Sequence, residues 1–560
     1  MSVGIHGGQS APHKAVRHPS CGFVMIRLFS GQTGISGSFT MGFKDLEMSG
    51  ISKKGRLLML LAAIAAIGGA VVFKMTGVGF DTLLSGGAAV HTIAVLCFTA
   101  AAVILLPFLG RLTMEKNFLI LWTLLSLVFM FSGTIFRSPD ETGHFYRSFE
   151  ISRGYAVSEV QERTSQGGRE LPLDVDITLL QHNWRSFDEN KELSLTENEP
   201  FIVFTNLSLY CPVSYMPQAA GIFIARQFTK NIAAIAYAGR LANWLTITLM
   251  LFFAVKIMPV KKELILLVSL LPMNVFLAFS LSPDGLVVAL SLLMFSYVLH
   301  LRFVQTEPLK VRQYILLYVM AIVVCLLKIV YLPICLVYFL IPAERFGSMR
   351  NKVIHAVIMA AAAVACNLVW LMICKKFLTI PGTDAGEQLR YMLTNPLNYV
   401  VVMVRTAVHY AVRWALMMIG GYLGRLDIET NKFLALVYLL MLVAALIDIP
   451  DIAAKARRGG SFVDAVRSEN LVFGMIVFAI LMLINASLYM QWTAPHSPMI
   501  KGIQGRYFIA LLLPFYFAIH NPTRVVGESE PAGEVRIFVC ELIITLVNLC
   551  AGVDVLLACL

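Results

Sequence analysis

From Asn117 to Phe136 the chain runs for twenty residues without one ionisable side chain, then breaks off at Arg137-Ser-Pro-Asp-Glu-Thr-Gly-His-Phe-Tyr-Arg147. A helix of ~20 apolar residues covers ~30 Å, the hydrocarbon thickness of a bilayer. Runs of this kind recur along most of the sequence. Without water, backbone N–H and C=O groups must pair within the segment, so the runs are helices. Composition agrees, with 58% of the 560 residues hydrophobic and 14% charged, against about 25% charged in a soluble domain. The expected fold class is all-α, a polytopic membrane protein with about 12–14 membrane helices. The net charge of +11 does not point to nucleic acid, because the basic residues collect in short loops and at helix ends, where the positive-inside rule puts them. The cysteines lie almost all inside apolar runs with no CxxC spacing, so neither a disulfide nor a zinc framework is expected.

The basic residues also set an expected topology. Residues 1–52 read as a disordered cytoplasmic tail, in which Met25, Met41 and Met48 are alternative starts. Residues 53–116 supply two additional N-terminal spans, Leu57–Phe73 and Ala88–Gly110, with Lys53, Lys54 and Arg56 before them and Arg111 and Lys116 after. That puts the N-terminus inside, and the third span, Asn117–Phe136, runs outward. A core of residues 117–521 follows, with a long first outer loop over 137–231, then a last loop and helix over 522–560. In the outer loop, Tyr210–Arg226 is apolar but broken by prolines and reads as an interfacial helix. Between Tyr314 and Pro342 the run is too short for two full spans yet has basic residues at both ends. Two short helices meeting at Lys328 fit it, with the lysine facing an aqueous cavity or an anion. Pro396–Ile419 reads as an amphipathic or re-entrant outer helix carrying Arg405, His409 and Arg413.

Pro139 ends or turns the helix before it. If the chain turns helical again, Asp140, Glu141 and His144 share one face. Three ionisable groups at a membrane boundary form an acid–base candidate, or a metal site if any exists in this chain. The plain alternative is a solvated helix end. The E-x-x-H spacing lacks the first histidine of a zinc peptidase, and Pro139 and Gly143 disrupt the helix that would present it. Lys328 and Arg506 are candidate fixed positive charges for a phosphate; their alternatives are a structural ion pair and a headgroup-level arginine. Arg240 lies inside an apolar span, either snorkelling or functional. Asp284, in Ser282-Pro-Asp-Gly285, is a turn residue or a site residue.

Six pieces carry a resemblance: Ser138-Pro-Asp-Glu-x-x-His-Phe-Tyr-Arg147, Tyr237-Ala-Gly-Arg-Leu-Ala-Asn243, Leu271-Pro-Met273 with Ser282-Pro-Asp284, Leu327-Lys-x-x-Tyr331, Leu423-Gly-Arg-Leu-Asp427 and Gln504-Gly-Arg-Tyr507. In this order they resemble the DUF2142 family of bacterial membrane proteins, although an aromatic residue often stands where this chain has Arg425. That family in turn looks like the multi-spanning glycosyltransferases of the C-type (GT-C) fold. The resemblance implies a GT-C-like bundle whose long outer loop carries interfacial helices. It implies a sugar donor on a polyprenyl phosphate or diphosphate and a glycan or lipid acceptor of the cell envelope. It makes Asp140 the expected base, Glu141 the second choice and His144 an orienting group. Lys328, Arg506, Arg240, Tyr331, Gln504 and Tyr507 are expected on the donor phosphate, and Tyr146, Arg147 and Asp284 on the acceptor or the loop. No cofactor is fixed by the sequence, and a divalent cation is the one candidate. The expected location is the bacterial cytoplasmic membrane, with the site on its outer face. The rival readings are a transporter or flippase for a lipid-linked glycan and a non-catalytic assembly protein.

Overall fold

A computed structural model describes residues 80–84, 86–109, 112–161, 166–173, 193–377, 383–447, 468–520 and 534–560. The N-terminal tail and the expected span Leu57–Phe73 lie outside the described residues. Among those described, eight helices are long and apolar enough to cross a membrane, and four shorter apolar helices accompany them. The chain is an all-α polytopic membrane protein.

Helices α1 (Gly86–Leu109) and α2 (Met114–Ser132) pack together, and α2 ends where the apolar run does. Next come α3 (Glu141–Ser152) and α4 (Met216–Ala225), separated by a three-stranded antiparallel sheet. Its strands are β1 (Glu159–Val160), β2 (Gly167–Glu170) and β3 (Phe201–Val203). No strands are expected from the sequence here, because segments this short have no readable alternation. Helix α5 (Ile232–Ile257) is a full span. Two short helices follow, α6 (Lys262–Ser269) and α7 (Pro272–Ala278). Pro272 removes the N–H that would continue the first, and Leu271 takes an extended ψ before it.

Helix α8 (Asp284–Phe303) follows, and then α9 (Val311–Leu327). Lys328 is extended, with φ −163° and ψ 107°, and a 3-10 helix runs from Ile329 to Leu340. The pair of short helices meeting at Lys328 is therefore present. Helix α10 (Met349–Cys374) spans, and α11 (Ala385–Thr394) leads into α12 (Pro396–Met418). Helix α12 is a single unbroken helix of 23 residues rather than a re-entrant loop. A two-stranded hairpin, β4 (Tyr422–Leu423) and β5 (Ile428–Glu429), precedes α13 (Lys432–Ile447) and α14 (Ser468–Gln491). A 3-10 turn over Gly505–Leu511 runs into α15 (Leu512–Ile519), and α16 (Glu534–Cys559) closes against α2.

Three apolar cores result among the described residues, the smallest of them Val402, Tyr489, Ile500 and Ile503. The large one fills the bundle, and Leu125, Phe295, Tyr438 and Phe517 are among its buried members. The second gathers Phe136, Phe145, Tyr146, Phe149, Ile202, Phe204 and Ile235 at one end of the bundle. That end is where α2 and α9 finish and α5 and α8 begin. The other ends of these helices carry Lys256, Arg302 and Arg312.

Candidate functional site

The segment joining α2 to α3 is held in an unusual backbone conformation. Phe136 and Asp140, four residues apart, both have positive φ (61° and 57°). Non-glycine residues avoid this region, and each such residue costs on the order of 1–3 kcal/mol unless its surroundings enforce it. Glu141 does the enforcing. Its buried carboxylate accepts from the Ser138 backbone N–H at 3.1 Å and from the Leu281 N–H at 3.1 Å. It also takes a two-pronged pair from Arg240, Nε to Oε1 at 2.8 Å and Nη2 to Oε2 at 2.7 Å. Arg240 donates in addition to the Thr134 carbonyl at 3.2 Å. One turn further along α5, Asn243 donates to the carbonyls of Ser280 (2.8 Å) and Ser282 (3.3 Å). One face of α5 thus fixes both the 134–141 segment and the turn before α8.

Asp140 precedes α3, and its side chain is 66% exposed. Arg506 Nη2 lies 3.5 Å from its Oδ2. Arg506 is itself buried, and its Nε is 2.8 Å from Asp284 Oδ2. The N–H at Nε is not aligned for a hydrogen bond, and Nη1 is buried with no partner among the described residues. Lys328 Nζ donates to Asp284 Oδ1 at 2.8 Å and sits 4.4 Å from the centre of the Tyr507 ring. The Arg506 guanidinium is 5.5 Å from the same ring. Tyr331 donates to the Tyr507 carbonyl at 2.8 Å, fixing the segment that carries both. Gln504 starts the 3-10 turn, and its Oε1 is buried without a hydrogen-bond partner among the described residues. Gly505 lets this turn seat directly on α12, since a Cβ there would meet the Trp414 carbonyl at 1.9 Å.

His144 faces the cluster from α3, and its Nδ1 shares a 2.8 Å hydrogen bond with the Tyr215 hydroxyl. Burial lowers its pKa to about 4, against the opposing pull of Asp140 and Asp284, so the ring is neutral. Burial likewise raises the Tyr215 phenol and keeps its proton on.

The expectation that Asp140, Glu141 and His144 share one helix face is corrected. Asp140 is left-handed and outside α3, Glu141 turns inward to Arg240, and His144 turns to Tyr215. No three His, Cys, Asp or Glu residues among those described are grouped to hold a metal ion. Glu141 and Arg240, expected as second base and phosphate ligand, are each other's partners, neutralised inside the protein. Tyr146 and Arg147, expected on the acceptor or the loop, are buried. The Tyr146 ring packs on Phe145 and Phe204. Arg147 donates to Glu150, to the Ala156 carbonyl at 2.8 Å and to the Tyr210 carbonyl at 3.2 Å, tying the outer loop together. Asp284, left open between turn and site, pairs with both cations.

Sequence reasoning missed three participants. Tyr210 and Tyr215 flank His144, but their aromatic character suits an interfacial position just as well. Arg137 donates to Asp427 at 3.0 Å, pinning the α2–α3 segment to the β4–β5 hairpin. Both ends of that pair lie within or beside the sequence pieces quoted above, which is the signal that could have found it.

A family model described as "Predicted membrane protein (DUF2142)" matches residues 121–514. The chain belongs to that family. The matched region takes in Asp140, His144, Asp284, Lys328 and Arg506. No curated protein and no solved structure matches the chain.

Proposed function

We propose that this protein is a membrane glycosyltransferase. It moves a sugar from a polyprenyl-phosphate-linked donor to a cell-envelope glycan or lipid, on the outer face of the bacterial cytoplasmic membrane. One observation carries the reading. A buried guanidinium, Arg506, has N–H groups without hydrogen-bond partners among the described residues and stands between an exposed carboxylate, Asp140, and a lysine-bearing pair, Lys328–Asp284. An anion with several oxygens satisfies such a guanidinium, and a carboxylate beside it can take a proton from a hydroxyl.

In the proposed reaction an acceptor hydroxyl gives its proton to Asp140 while its oxygen attacks the anomeric carbon. The bond from that carbon to the phosphate oxygen breaks, and its electron pair leaves on the phosphate. Arg506 and Lys328, preorganised in a water-poor setting, stabilise that developing charge. His144, neutral and held by Tyr215, forms the wall behind Asp140. The outer location is supported by the basic residues Lys256, Arg302 and Arg312, which lie at the far ends of the helices that carry the cluster.

Purified protein in lipid nanodiscs, given polyprenyl-phosphate sugars and an envelope acceptor, tests this. Asp140→Asn is expected to slow transfer by about 10²–10⁴-fold, the usual worth of a positioned general base. Full transfer by that variant sinks the assignment. The transporter reading draws on the helix broken at Lys328, since transporters place broken helices at their binding sites. Movement of a lipid-linked glycan across vesicles, with no bond made or broken, decides for it.

A further inference from the structure

We propose that the exposed face of α12 binds the headgroups of anionic phospholipids, with their acyl chains lying along its valine row. Arg405, His409 and Arg413 stand at i, i+4 and i+8, so they form one line on the helix. All three are exposed. Their neighbours along the helix are Val400, Val401, Val404, Val408 and Val412, exposed by 48% to 78%. Two guanidiniums with an imidazole between them therefore run beside a row of branched apolar side chains, over an open depression lined by Val400, Val404, Arg405, Val408 and His409. No carboxylate among the described residues pairs with any of the three. The ring contact of Arg413, with Tyr422 at 5.7 Å, leaves its charge uncompensated.

The opposite face is occupied. Val402, Thr406 and Met417 are buried, and Trp414 donates to the Ile503 carbonyl at 3.1 Å. The helix is thus fixed by its back to the segment carrying Arg506, and its front is left open.

The position of the charges fixes how α12 meets the membrane. At 1.5 Å per residue the helix is ~35 Å long, and Arg405 and Arg413 are ~12 Å apart along it. Standing upright across the hydrocarbon, it would hold the Arg405 guanidinium near the midplane, where an ionised group is least tolerated. Lying along the interface, it puts the valine row in the acyl region and the cations at the phosphates. The chemistry recognised is a lipid phosphate. The cations are spread along the helix and do not converge on one point. That suits several ordinary anionic headgroups rather than one dedicated ligand.

The test uses the full chain in nanodiscs of phosphatidylcholine mixed with phosphatidylglycerol, with a photo-crosslinking residue at Val408. The wild-type background is expected to capture phosphatidylglycerol beyond its share of the bilayer. The preference should be on the order of five-fold per arginine, the worth of a basic residue near an anionic surface. Arg405→Gln with Arg413→Gln should bring capture back to the bilayer's composition. Both side chains are exposed, so the variant should fold. Raising the salt concentration should do the same without any substitution, because exposed charges are screened. Capture that follows bilayer composition in the wild-type background overturns the proposal, and so does capture of no lipid at all. Displacement of phosphatidylglycerol by trace polyprenyl phosphate overturns it as well, since the face would then serve the donor. Sugar transfer can fail without touching any of these outcomes.

Discussion

Arg240→Met should be among the most damaging single substitutions in the chain, and the reason is Glu141. In the native protein that carboxylate is buried and accepts four hydrogen bonds, two of them from Arg240 at 2.7 and 2.8 Å. Methionine keeps much of the arginine's volume but removes the only cation paired with Glu141 among the described residues. Stranding one member of a buried ion pair costs about 3–5 kcal/mol. The two backbone N–H groups of Ser138 and Leu281 remain, which puts the expectation at the low end, about 3 kcal/mol. Replacing Glu141 by Gln in the same chain removes the stranded charge and keeps an oxygen for those N–H groups. The double variant should recover at least half of the loss. The assay is the apparent melting temperature in detergent, read by loss of the monodisperse species for wild type, Arg240→Met, Glu141→Gln and the double variant. An Arg240→Met protein that melts with the wild type, or a double variant no better than Arg240→Met, refutes the reasoning. The same set bears on chemistry. If the double variant folds and still transfers sugar, Glu141 is not the base.

His144 gives a pH dependence with a definite sign. Its folded pKa of about 4 lies below the ordinary 6.5, so the unfolded chain binds the proton more readily. Stability should be unaffected above pH 6.5 and fall as pH drops towards 4, by up to about 3 kcal/mol; a melting series whose acid slope is identical in His144→Gln contradicts this. Asp140→Gly should fold as well as the wild type or better, by up to about 1 kcal/mol, because glycine takes positive φ freely. It should nonetheless lose transfer, and a clear drop in melting temperature would show that the Asp140 side chain is structural. Asp140→Asn should bind a polyprenyl phosphate several-fold more tightly than the wild type in a nanodisc titration, and equal affinities would count against competition between Asp140 and the phosphate for Arg506.

The membrane spans were legible because solvent physics writes them into the sequence one residue at a time. The break at Lys328 was legible for a related reason: a lysine in an apolar run must have a cause. What could not be read was which charge meets which. Glu141 and Arg240 are 99 positions apart, and Asp284 and Lys328 are 44 apart. Nothing local distinguishes the carboxylate turned inward from the one turned outward. At Asp140 and Glu141 the two are adjacent, and the left-handed conformation of Asp140 sends them in opposite directions. A helical reading of the same residues puts them on one face, which is why it missed the inward turn of Glu141 to Arg240. The short sheet over 159–203 was hidden because two to four residues cannot show a period.

The charges of the cluster also say which contact yields first. Two carboxylates, Asp140 and Asp284, face two cations, Lys328 and Arg506, with His144 neutral, so the resting site is balanced. A phosphate entering on the proposed reading brings further negative charge, and one carboxylate must loosen its hold. Asp284 is buried against both cations at 2.8 Å, and parting such a pair is expensive. Asp140 is mostly exposed and 3.5 Å from Arg506, a contact of the kind worth about 0–1 kcal/mol. The phosphate therefore replaces Asp140 on Arg506 and leaves Asp284 in place. On that reading Asp140 is released from its cation in the step that seats the donor, and its carboxylate is free to face an acceptor hydroxyl just when that hydroxyl has something to attack.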